Sequence, residues 1–99
     1  MLIGRVIGSV VSTQKDEKMR DMKLLLVQRH DHANRPLEET MVCVDAVGAG
    51  LHEMVLYCTG SSARQTKLTE AKPCDAVIMG ILDSWDVDGN VVFEKESGA

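Results

Sequence analysis

Five short runs of aliphatic and β-branched residues, each closed off by glycine, proline or Asx residues, direct this chain towards an all-β fold. They cover residues 2–11, 23–29, 40–47, 53–59 and 76–83. In the first run, Leu2, Gly4, Val6, Gly8 and Val10 share one face, and Ile3, Arg5, Ile7, Ser9 and Val11 share the other. Two glycines four apart on one face suit a strand that bends sharply, as small barrels require. In the third run Met41, Cys43, Asp45 and Val47 face one way and Val42, Val44 and Ala46 the other. The fifth run is almost continuously apolar and is expected to be buried. No βαβ alternation is present, so the expected architecture is a small closed or partly closed antiparallel barrel.

The connections carry turn chemistry. Residues 12–22 are polar and of mixed charge, residues 31–36 hold Asp, Asn and Pro, and Gly48-Ala49-Gly50 ends the third run. After the fourth run, Gly60-Ser61-Ser62-Ala63-Arg64 offers a serine cap for one short helical turn. Asp88-Gly89 between Val87 and Asn90-Val91 predicts a terminal hairpin, with Trp85 and Phe93 packing across it. The last residues, from Lys95, are expected to fray.

At 99 residues the chain is a single domain. A core of that size buries only about 60–70% of the unfolded surface, so further burial is expected. Cys43, Cys58 and Cys74 are odd in number and lack paired spacing, and read as buried thiols rather than disulfides or zinc ligands. That leaves association with partner chains as the source of stability. No apolar run reaches the roughly 18 residues of a membrane span, and the start lacks a signal-peptide pattern. A cytoplasmic protein without membrane contact is expected.

Enzyme chemistry finds no support. His30-Asp31-His32 would place two imidazoles on one strand face, but it runs into turn residues and His52 is remote, so no metal site is expected. Gly48-Ala49-Gly50 lacks the G-x-G-x-x-G spacing, and Gly60-Ser61-Ser62 is not G-x-S-x-G. Neither a catalytic residue nor a cofactor is expected. A barrel of this size raises one rival, an OB-fold module for single-stranded nucleic acid. Such proteins stack bases on aromatics over a positive groove. Here the net charge is −4 and aromatics are 3%, which disfavours it.

Five blocks in order carry a resemblance: G-R-V-I-G-S-V-V-S-T-Q-K from Gly4, K-L-L-L-V-Q from Lys23, V-D-A-V-G-A-G from Val44, G-S-S-A-R from Gly60 and D-A-V-I-M-G-I-L-D from Asp75. Together they resemble the EutN/CcmL family, the pentameric vertex proteins of bacterial microcompartments such as carboxysomes and metabolosomes. The resemblance implies a five-stranded OB-like β-barrel, to which the reading above adds one short helix and a C-terminal hairpin. A single domain over residues 1–99 is expected, with a core at 1–86 and a hairpin and tail at 87–99. Its implied work is structural and non-catalytic: a homopentamer in the microcompartment shell, closing corners of a layer tiled by hexameric shell proteins. The His-Asp-His segment and the tail after Asp86 stand outside the common pattern.

A ring of identical subunits mates one patch with a different patch of the neighbour. Small residues permit close backbone approach, so Gly48, Ala49, Gly50, Gly60, Ser61, Ser62 and Ala63 are the expected interface or axis. Arg64 is expected to pair with an acidic group of the neighbour, with Asp45 as the candidate.

Overall fold

A computed structural model describes residues 1–13, 22–60 and 75–96. Seven strands lie among them: β1 (Leu2–Val10), β2 (Leu24–His30), β3 (Pro36–Asp45), β4 (Met54–Thr59), β5 (Ala76–Ile81), β6 (Ser84–Val87) and β7 (Asn90–Glu94). The first five close into a barrel in the order β1-β2-β3-β5-β4, and β6-β7 form a separate hairpin. All five expected runs are strands, with ends displaced by a few residues. β3 begins at Pro36 rather than at residue 40, because its first half pairs with the end of β2 (His30 with Pro36). The expected helical turn after Gly60 and the thiol of Cys74 lie outside the described residues.

The barrel is not antiparallel throughout, as the sequence reading had it. β3 and β5 run parallel, with Val44 beside Val77 and Asp45 beside Ile78. The reason is parity: strands that alternate in direction around a closed ring must be even in number. Five strands leave one seam where two neighbours point the same way. Every other barrel seam is antiparallel.

The interior is filled by alternate residues of each strand. Val6, Leu25, Val27, Cys43, Val55, Tyr57, Ala76 and Ile78 form the core, and Ala49 enters it from the loop after β3. A second buried cluster of Met22, Val44, Cys58 and Val77 lies on the other side of the wall. This explains the unbroken apolar run in β5: Ala76 and Ile78 face the core while Val77 serves the second cluster. Cys43 and Cys58 are free, buried thiols, as expected. Burial pushes the Cys43 thiol up to about 12, which makes it a poor nucleophile at neutral pH.

β1 pairs with β4 from Leu2 to Arg5, and a bulge at Ile7 resets its register on β2. The hairpin turns through Asp88 (φ 52°) and Gly89 (φ 81°), both left-handed, as a two-residue primed turn requires. Trp85 and Phe93 stack across it, ring centroids 5.1 Å apart. Its first strand starts at Ser84, ahead of the expected core limit at residue 86. Two side-chain bonds fasten the hairpin to the barrel: Trp85 Nε1 donates to His32 O and Lys95 Nζ to Glu53 Oε2, both at 2.9 Å, while Lys95 N donates to Asp83 O (2.7 Å) and extends the hairpin's own ladder by one rung.

Candidate assembly surface

The loop between β3 and β4 is built around two carboxylates. Asp45, the last residue of β3, turns its Oδ1 back to accept the amides of Val47, Gly48 and Ala49 at 3.0–3.1 Å. An aspartate followed closely by small residues and glycine is prone to such a turn, because its short side chain reaches backbone amides two to four residues on. Lys23 Nζ braces the same turn, donating to Ala49 O at 3.2 Å and lying 3.8 Å from Asp45 Oδ2.

At the far end Gly50 N donates to Glu53 Oε1 (2.6 Å) and Glu53 N to Gly50 O (3.2 Å). His52 N and Val6 N then tie the loop to β1 through Val6 O and Glu53 O. The loop is thus held at both ends, and outward it offers Leu51 (60% exposed) and Val47 (39%) beside the exposed His52.

The residues expected at an interface divide accordingly. Gly48 is exposed and Gly50 half-buried. Ala49 is buried in its own barrel, and the Asp45 side chain is only 2% exposed. Asp45 therefore spends its carboxylate within its own chain. Gly60 is exposed, has a left-handed φ of 67°, and donates its amide to Asp75 O at 2.8 Å. Ser61, Ser62, Ala63 and Arg64 lie outside the described residues. Sequence reasoning missed the capping roles of Asp45 and Glu53, although the D-x-x-G and G-x-x-E spacings were there to be read.

His30-Asp31-His32 does not form the extended pair that a shared metal needs. β2 ends at His30, whose Nδ1 lies 2.9 Å from Asn34 Oδ1. Asp31 accepts the amides of Ala33 and Arg35 and the Arg35 guanidinium at 2.9 Å. These bonds, chiefly those from Arg35, hold the Asp31 carboxyl below its ordinary value. The segment is a turn knot that seats the hairpin through His32 O. Nor is there an aromatic platform for bases. Tyr57 is fully buried, and Trp85 and Phe93 stack on each other.

The Lys95 ammonium and, after it, the Gly50 amide hold the Glu53 carboxyl below its ordinary 4.5. A lowered pKa in the folded state stabilises it above that value, and the gain disappears as pH falls through the folded one. Acidification below pH 4.5 should therefore release the hairpin anchor. Trp85, the only tryptophan, should report this as a change in fluorescence, and Glu53→Gln should remove the transition. The pair is partly solvated, so the effect on global stability should be small.

Residues 1–83 match the family described as "Ethanolamine utilisation protein EutN/carboxysome". The chain belongs to the EutN/CcmL family. It is 48% identical over 96 residues to the carboxysome shell vertex protein CcmL of Gloeobacter violaceus, covering 97% of this chain and 96% of that one. The solved structure of that CcmL superposes with a TM-score of 0.93, covering 96% and 98%. The shell vertex protein EutN of Salmonella typhimurium is 38% identical over 95 residues, 96% of each chain. The pentameric microcompartment shell protein GrpN of Rhodospirillum rubrum is 44% identical with a TM-score of 0.81, covering 88% of this chain and 99% of that one.

Proposed function

We propose that this chain is a structural shell vertex protein of a bacterial microcompartment, working in the cytoplasm as a homopentamer without catalysis of its own. The observation that carries this reading is the near full-length likeness to relatives named as shell vertex proteins, one of them described as pentameric. The mechanism is geometric. A five-membered tile placed in a layer of hexamers forces curvature, and enough such tiles close the layer into a polyhedron. The partners are therefore four further copies of this chain around the axis and hexameric shell proteins at the outer edge.

Within the ring, the loop through Gly48 and Gly50 and the turn at Gly60, with Ser61, Ser62, Ala63 and Arg64, belong to the subunit interface or the axis. Ala49 and Asp45 contribute from beneath, by fixing the loop that the neighbour meets. Arg64 then pairs with an acidic group other than Asp45.

Native mass spectrometry of the purified chain should give a five-subunit species. A monomer or dimer at micromolar concentration would defeat the proposal. Shells assembled without this chain should be open or elongated, and its re-addition should restore closed particles.

A further inference from the structure

Arg5 faces out of the barrel. Its neighbour Val6 fills the core, and Met54, directly across the β1–β4 ladder, shares its side of the sheet. The end of the hairpin lies against this spot: Lys95 Nζ reaches Glu53, the residue before Met54, at 2.9 Å. Between barrel and hairpin runs a cleft of about 460 Å³, large enough for a small organic ligand. Met54, Leu82 and Phe93 give it an apolar side, and Arg5 lines it with them. Its hairpin wall, residues 93–96, lies beyond residues 1–83, which carry the family match.

Arg5 has no partner within its own chain. It makes no hydrogen bond or ion pair among the described residues, and its Nε is closed off from water as well. A guanidinium carries five donors and cannot shed its charge. Leaving such a group partly desolvated and unpaired is costly, and an arriving acceptor recovers that cost. The terminal nitrogens are not sealed as Nε is, so one carboxylate can span both. The Lys95 ammonium, also in the cleft wall, is already spent on Glu53. The exposed Glu94 and Glu96 line the cleft too, and they disfavour an anion of more than one charge.

We infer that this cleft is a binding site for a small monocarboxylate with an apolar body. The carboxylate caps the Arg5 guanidinium, and the body packs on Met54, Leu82 and Phe93. Charge sets the class: a single carboxylate matches the free guanidinium, whereas a phosphate or a dicarboxylate brings a second charge against Glu94 and Glu96. Size sets the rest, because formate or acetate would leave the Phe93 side of the cleft uncovered. Both walls come from one subunit, so the inference stands apart from the ring reading above.

Phenylacetate is a probe of this class, and Trp85, stacked on Phe93, reports its arrival. Titrated at neutral pH into the purified chain in its assembled state, phenylacetate should change Trp85 fluorescence saturably, in the millimolar range. Phenylacetamide, equal in shape but uncharged, should bind at least about tenfold more weakly, and so should inorganic phosphate. Arg5→Met keeps the aliphatic stem and should weaken phenylacetate by about the same factor. It should not lower the melting temperature, because the guanidinium holds no bond in its own chain. Glu94→Gln should tighten phenylacetate binding. Equal affinity for phenylacetate and its amide would overturn the inference on the wild-type chain alone, as would a response still linear at about 50 mM. A marked fall in the melting temperature of ligand-free Arg5→Met would show the guanidinium to be spent inside the subunit, and would overturn it equally.

Discussion

Asp45→Ala should lower the unfolding free energy of the subunit by about 3 kcal/mol, the loss expected when several hydrogen bonds to one buried carboxylate disappear. Three backbone amides converge on a single oxygen of this side chain. Val47 and Gly48 are exposed and can return their amides to water, but Ala49 is buried at 1% and its N–H would be stranded. The damage is therefore concentrated in the segment that plugs the barrel. Asp45→Asn keeps a side-chain oxygen and should cost about 1 kcal/mol. Lys23→Met removes a mostly exposed partner and should cost less than that. Urea unfolding at one fixed protein concentration gives the ranking, since ring formation makes apparent stability depend on concentration. A loss for Lys23→Met as large as for Asp45→Ala would show that the ion pair, rather than the amide cap, holds the loop.

Gly4→Ala should be comparably damaging, by about 3 kcal/mol or more, for a steric reason. A Cβ at this position would stand 2.5 Å from Val27 Cγ1, 2.7 Å from the carbonyl oxygen of Gln28 and 2.9 Å from Tyr57 Cε1. Side chains can shift, but the Gln28 carbonyl belongs to β2 and can yield only if the β1–β2 seam opens. Glycine at this position lets the ring of Tyr57, the largest fully buried side chain among the described residues, lie against the β1 backbone. Gly8→Ala on the same strand is the control. With open space around it, alanine should leave the subunit unharmed or up to about 1 kcal/mol more stable. Thermal unfolding of the two variants side by side separates the cases, and equal melting temperatures would refute the close-packing account.

The two glycines also show where pattern reading stops. Alternation puts Gly4 and Gly8 on one face of β1, and both suggest a bend. The bulge at Ile7 breaks that alternation, so Gly4 faces the core while Gly8 pairs with the outward Leu26. No periodicity in a single strand can announce an extra residue whose presence depends on the neighbouring strand's register. Asp45 is similar. Its parity with Met41 and Cys43 was plain, but spacing alone could not say whether its charge would serve a neighbouring subunit or its own loop.

What the chain determined by itself is local and repetitive: five aliphatic runs, the Asp88-Gly89 turn with Trp85 facing Phe93, buried thiols, and the family blocks from Gly4 to Asp83. Each follows from short-range preference or from side chains that must leave water, and both are written residue by residue. The tertiary structure alone decided the rest. It placed β5 between β3 and β4 with a parallel seam, turned Asp45 and Glu53 into loop caps, and set Arg5 in a cleft against the hairpin. Those outcomes depend on which strands meet when the sheet closes, a long-range constraint that no segment carries alone.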